Sequence, residues 1–131
     1  MKDMRVRLST LWLFAMLNYL YADVVTLMDP QGLKKIMTGY VGMMQITEGF
    51  LLGAAILMET AIAMVLLSRV LNYNANRWAN IIVGALHTVA VASSMLVGEP
   101  PAAYYIFFAT IEISCTLLII WFALRWRKQE A

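Results

Sequence analysis

Residues 102–124, AAYYIFFATIEISCTLLIIWFAL, contain a single charged side chain, Glu112. A hydrocarbon core is crossed by a helix of about 20 apolar residues, and this stretch meets that length. Three further runs do the same, at residues 8–28, 44–67 and 78–98. Lipid offers the backbone no hydrogen-bond partners, so each run must be helical. The sequence therefore predicts an all-α integral membrane protein: a single membrane domain over residues 1–131 built as an up-down-up-down four-helix bundle.

Composition supports that class. A chain of 131 residues that is 62% hydrophobic and 14% charged holds more apolar surface than one small soluble core can cover. The lipid bilayer is its first partner. The net charge of +2, with no basic run interleaved with aromatics, leaves no footprint for nucleic acid. The one cysteine, Cys115, cannot form an intrachain disulfide, a CxxC pair or a cysteine-rich zinc site. The first run is too long for a signal peptide and lacks a small-residue cleavage pattern, so it is read as a mature helix.

Turn residues mark the joints: Asp29, Pro30 and Gly32 after the first span, NYNANR between the second and third, GEPP between the third and fourth. The two short links make the helices they join antiparallel neighbours. Lys2, Arg5, Arg7, Arg69, Arg77, Arg125, Arg127 and Lys128 fall on one side against Lys34 and Lys35 on the other, which places both termini in the cytoplasm. Between the first two spans, Leu33, Ile36, Met37 and Tyr40 recur at helical spacing opposite the two lysines. A short interfacial helix is expected there.

Each span carries one polar seam. At about 100° per residue the first helix gathers Trp12, Ala15, Asn18, Tyr19, Ala22, Asp23 and Thr26 on one arc. In the second, Glu48 and Glu59 share a face with Leu52, Ala55 and Ala63. Gly49 and Gly53 beside them form a small-residue strip, read as a contact within the bundle in preference to a homo-oligomer. Asn80, His87 and Ser94 recur every seven residues in the third, near Asn76, Gly84 and Gly98. On the fourth, Tyr105, Ala109, Glu112 and Thr116 align, with Cys115 adjacent. By a rise of about 1.5 Å per residue, Asn18, His87 and Glu112 lie near the membrane midplane, Asp23 and Glu48 toward the outer mouth, and Glu59 below the centre.

A charge at the bilayer centre costs roughly 2.5–3.5 kcal/mol on insertion scales, more than bundle-stabilising hydrogen bonds return. The candidate ligand-binding or proton-relay set is therefore Asn18, Tyr19, Asp23, Glu48, Glu59, Asn80, His87, Tyr105 and Glu112. Three readings follow. An outward-facing cavity binds a small cation or small polar molecule, with proton-linked transport. Alternatively, His87 and Glu112 act as an acid-base pair on a lipophilic substrate, or the chain is an accessory subunit whose polar core holds it together. Asp23, Glu48, Glu112 and His87 are the side chains able to offer mixed oxygen and nitrogen ligands to a metal. One histidine is too few for a bis-histidine haem, the Glu-x-x-His pattern of di-iron bundles is missing, and no cofactor is implied.

The stretches LSTLWLFAMLNYLYAD, TEGF, GALHTVAV and YYIFFATIEISCTLLIIWFA together resemble a family of small bacterial four-span membrane proteins of unknown function. That family is similar in size and topology to the DoxX-like proteins. The resemblance covers nearly the whole chain and implies a bacterial inner-membrane location; it carries over no activity, ligand or catalytic residue.

Overall fold

The computed structural model describes residues 3–96 and 100–128. In chain order it contains α1 (Met4–Met28), α2 (Pro30–Met37), β1 (Tyr40–Val41), β2 (Met44–Gln45), α3 (Glu48–Val70), α4 (Tyr73–Leu96) and α5 (Ala103–Arg125). Helices α1, α3, α4 and α5 are each long and apolar enough to cross a membrane. The chain is thus all-α apart from one minimal hairpin, and it has the build of a multi-pass membrane protein.

Side-chain caps place several helix starts away from the hydropathy edges. Asp3 accepts from Arg5 N at 2.9 Å, so α1 begins at Met4 and not at residue 8. Thr47 Oγ1 accepts from Phe50 N at 3.0 Å and starts α3 at Glu48, four residues after the apolar run opens. The missing turn is in the hairpin, where Tyr40 pairs with Gln45 and Val41 with Met44. Gly42 stands at φ 60° in its two-residue loop, the left-handed position that a type II′ turn requires. Asn72 Oδ1 accepts from Ala75 N at 3.0 Å, so most of NYNANR is the first turn of α4 and not a loop. The helix expected between the first two spans is present as α2, started by Asp29 and Pro30. It ends at Met37, because Gly39 turns the chain at φ 86°, and Tyr40 belongs to β1 instead.

Helix α1 packs against both α3 and α5, and α5 packs in turn against α4, whereas α3 and α4 touch only sparsely. The buried seams step alternately by four and three residues. Leu8, Trp12, Ala15, Tyr19 and Ala22 form that of α1, and Glu112, Thr116, Ile119 and Ala123 that of α5. This spacing sets knobs into holes in coiled-coil-like packing. Gly84 lets α4 and α5 approach closely, since a Cβ there would sit 2.9 Å from Ile120 Cγ1. The Gly49 and Gly53 strip does not serve the bundle as expected. A Cβ on Gly53 would meet nothing within 4 Å, and one on Gly49 only Thr47 Oγ1, because the first turns of α3 stand clear of the other helices.

Arginines clasp the end of the fold where α1 starts and α5 finishes. Arg5 lies 5.6 Å from the Trp126 ring, Arg7 4.9 Å from Phe122 and Arg125 5.0 Å from Trp121. Arg5 Nε also donates to Leu71 O at 3.3 Å and Arg77 Nε to Ala123 O at 3.0 Å, satisfying carbonyls at the ends of α3 and α5. This is called the terminal end below; the opposite one, carrying α2 and the strands, is the hairpin end.

Candidate functional site

Apart from Ser9, which donates to Val65 O at 2.6 Å, and Thr116, which accepts from Thr88 Oγ1 at 2.8 Å, the buried polar side chains described in the interior fall into two groups. Toward the terminal end, Trp12 Nε1 donates to Asn80 Oδ1 at 2.8 Å, and Ser68 Oγ reaches the same oxygen at 3.4 Å. Asn80 Nδ2 donates to Asn76 Oδ1 at 2.7 Å and to Asn76 O at 2.9 Å, while Asn76 Nδ2 donates to Ser68 O at 2.7 Å. Three helices, α1, α3 and α4, are joined in this way. Asn76, Asn80 and Ser68 are fully enclosed, and each amide is used.

Toward the hairpin end the group is Tyr19, His87 and Glu112, all buried. His87 stacks on the Tyr19 ring at 5.4 Å and meets Trp12 edge-on at 5.6 Å. Its Nε2 lies 2.9 Å from Thr60 Oγ1. The Thr60 hydroxyl proton goes to Leu57 O, which can only accept, so the His87–Thr60 hydrogen is on Nε2 and Nδ1 is left as the ring's acceptor. The Tyr19 hydroxyl is buried and has no hydrogen-bond partner among the described residues. It feels the field of Glu112, which in turn feels that of Asp23. No hydrogen bond within the described residues reaches the Glu112 carboxyl. A buried donor and a buried carboxyl left without protein partners cost free energy unless something else meets them.

The other predicted residues are placed differently. Asp23, though electrostatically close to Glu112, is exposed on α1. Asn18 is half-buried and returns its amide to Phe14 O at 2.9 Å; it lines a shallow groove with Phe14, Leu17, Tyr21 and Phe108. Asn18 and Asp23 each follow or precede a seam position of α1 by one residue, which turns them by about 100° from it. Tyr105 pairs with Ser94 at 2.7 Å between α5 and α4, near the hairpin end. Glu48 and Glu59 are exposed on the side of α3 facing away from the bundle, so the expected ladder of acids does not assemble along one interior. Gly98 and Glu99 of the predicted joint lie outside the described residues. Among the described residues, no group of three or more His, Cys, Asp or Glu side chains converges as metal ligands.

Sequence reading missed Ser68 and Thr60, the α3 contributors to the interior. Ser68 stands seven residues from Ala61, on the seam with Met64, and that spacing was the available signal. Tyr104, which donates to Asp29 Oδ2 at 3.0 Å and ties α5 to the α1–α2 corner, has the appearance of an interfacial belt residue in the sequence alone.

A family model describes the chain over residues 2–131. The protein belongs to the Family of unknown function (DUF6326). No curated protein and no solved structure matches it. Membership in DUF6326 thus brings a class of chain and no chemistry, and what the protein does rests on the cluster just described.

Proposed function

We propose that this DUF6326 member is a single membrane domain of up-down-up-down helices, with both termini cytoplasmic, that binds a small cation at Tyr19, His87 and Glu112. The observation that carries the reading is a pair of groups without hydrogen-bond partners among the described residues: the buried hydroxyl of Tyr19, whose ring stacks on His87, and the carboxyl of the buried Glu112, whose field reaches Tyr19. A carboxyl within electrostatic reach of the Tyr19 ring suits a small ammonium ion, which can draw on Coulomb attraction and on a ring quadrupole together. A carboxyl that exchanges its proton for that cation links binding to protons, and Asp23 is the charged group between it and the surface. Antiparallel order is supported by paired positions that run in opposite directions, Ser94 with Tyr105, Thr88 with Thr116 and Arg77 with Ala123.

The test is calorimetric titration of purified protein with methylammonium, tetramethylammonium and sodium, followed by vesicles holding a pH dye. Saturable binding in wild type that is lost in Glu112→Gln supports the reading. Equal heats in both proteins would sink it.

A second reading, acid-base chemistry on a lipophilic substrate, draws on the sparse contact between α3 and α4. Their hydrogen bonds begin at Thr60 with His87 and continue only toward the terminal end, at Ser68 with Asn76 and Asn80. Above Thr60 the side of α3 is open, which gives a lipid-borne molecule a lateral way to His87. Lipid retained by wild type after gentle purification and lost in His87→Gln would favour it.

A further inference from the structure

Helix α3 carries two seams. The inner one, Ala61, Met64 and Ser68, is buried in the bundle. On the outer one, Gly49, Leu52, Ile56, Glu59, Ala63 and Leu66 alternate steps of three and four along the helix, the same spacing as the buried seams of α1 and α5. Only Ala63 among them is half-buried; the rest are exposed, Leu52 by 63% and Leu66 by 64%. In the apolar window of α3, 11% of residues are buried, against 33% for α5.

We propose that this outer seam is the interface with a second copy of the chain, packed parallel and in register, so that Glu59 meets its own symmetry mate. Glu59 sits at the midpoint of α3 (Glu48–Val70) and has no hydrogen bond or ion pair among the described residues. Ionisable side chains within a membrane span face protein or water, and lipid supplies neither. A seam at heptad spacing is the pattern that another helix fills. The exposed faces of α1 and α5 have the same spacing, at Leu13, Leu17, Leu20, Val24 and Leu27 and at Phe107, Thr110, Ser114, Leu117, Trp121 and Leu124; the α3 face differs from them in carrying a carboxyl at mid-span.

The carboxyl itself selects the occupant. Copies inserted in one membrane share an orientation, so two α3 helices side by side run parallel. A two-fold axis along the membrane normal then sets each seam position against itself. A carboxyl is able to be its own partner, since the O–H of one donates to the oxygen of the other and a single proton can be shared. A foreign helix would need its own basic or hydroxyl group at the same depth. Gly49 and Ala63 are small enough to let the backbones close up, and one polar pair at the centre fixes register as polar seam residues do in coiled coils. This surface is across the bundle from Tyr19 and Glu112, so it stands or falls separately from cation binding.

The experiment uses the full chain carrying Cys115→Ser, reconstituted as the only protein in phosphatidylcholine vesicles. Oxidation is expected to cross-link Leu52→Cys, Ile56→Cys and Leu66→Cys into dimers, and to leave Leu13→Cys, Val89→Cys and Leu117→Cys, exposed on the other helices, as monomers. Native mass spectrometry is expected at twice the 14.8 kDa chain mass. Glu59→Gln, whose amide also donates and accepts, keeps the dimer, whereas Glu59→Lys weakens it by about tenfold or more by placing like charges face to face. Circular dichroism checks that both variants stay helical. A monomeric wild type, equal cross-linking on all helices, or a Glu59→Lys dimer as tight as wild type would each overturn the proposal.

Discussion

The two ends of the interior are made of similar material and are finished differently. At the terminal end, Trp12, Ser68, Asn76 and Asn80 satisfy one another, and the bonds cross three helices. At the hairpin end, Tyr19 and Glu112 are buried, though less completely, and have no side-chain hydrogen bond among the described residues. Polarity inside a membrane helix is thus no sufficient mark of function. Trp126 Nε1 at the terminal end also lacks a hydrogen-bond partner among the described residues, so an unpaired donor alone does not mark a site; the hairpin end differs in setting one in the field of an unpaired carboxyl, and by its complete pairing Asn80 is a lock residue although its sequence position groups it with His87.

Breaking the lock is expected to produce the largest effect. Asn80→Leu leaves Trp12 Nε1 and Asn76 Oδ1 unpaired in an apolar interior. A loss of about 2–4 kcal/mol is expected, read as a shift in the unfolding midpoint in mixed micelles. Ligand titration of whatever folds should stay normal. Gly84→Ala comes next, because its new methyl meets Ile120 where α4 and α5 press together; about 1–3 kcal/mol is expected from the same unfolding curves. Gly53→Ala, with open space at that position, should leave the curve in place.

The hairpin end should respond in the opposite sense. Glu112→Gln is expected to change stability by less than about 1 kcal/mol, since no protein hydrogen bond is lost, and to remove the calorimetric binding signal. A drop as large as that of Asn80→Leu would make Glu112 a second lock and erase the contrast. Tyr19→Phe is the smallest perturbation, deleting one unpartnered oxygen. Stability should hold within about 0.5 kcal/mol or rise, while cation binding weakens but persists. A marked fall in the melting temperature of Tyr19→Phe would mean that its hydroxyl has a partner after all.

Much of the fold is legible in the sequence because lipid imposes simple rules. Length and hydropathy give the four long helices, and a lysine-flanked apolar spacing gives α2. Their edges are not legible from hydropathy, since Asp3, Thr47 and Asn72 set them through single side-chain bonds that leave the average unchanged. The hairpin is hidden for another reason: strands of two residues show no alternation, and its apolar Tyr40, Val41 and Met44 merge into the neighbouring run. Within the site, the seven-residue recurrence of Asn80 and His87 is enough to place both inside. Asn18 and Asp23 are misplaced because a helical arc about 100° wide includes residues one position off the seam, and the neighbours of α1 close over only the narrower stripe. Glu59 is misplaced because periodicity tells which residues share a face and not which face turns inward; α3 has two candidate seams, and the one bearing the acids is outside.

The clasp at the terminal end links the beginning of the chain to its finish. Trp126 is buried, its ring lies under Arg5, and its carbonyl accepts from the Tyr73 hydroxyl at 2.7 Å. Synthesis produces Arg5 first and Trp126 after α5, so this latch closes only once all four long helices have been made. Until α4 arrives, Trp12 likewise has no Asn80 to bond. Helix α1 therefore waits with its polar stripe uncovered, and a chain stopped after α5 but before residue 126 would hold the interior bonds while lacking the fastening between Arg5 and Trp126.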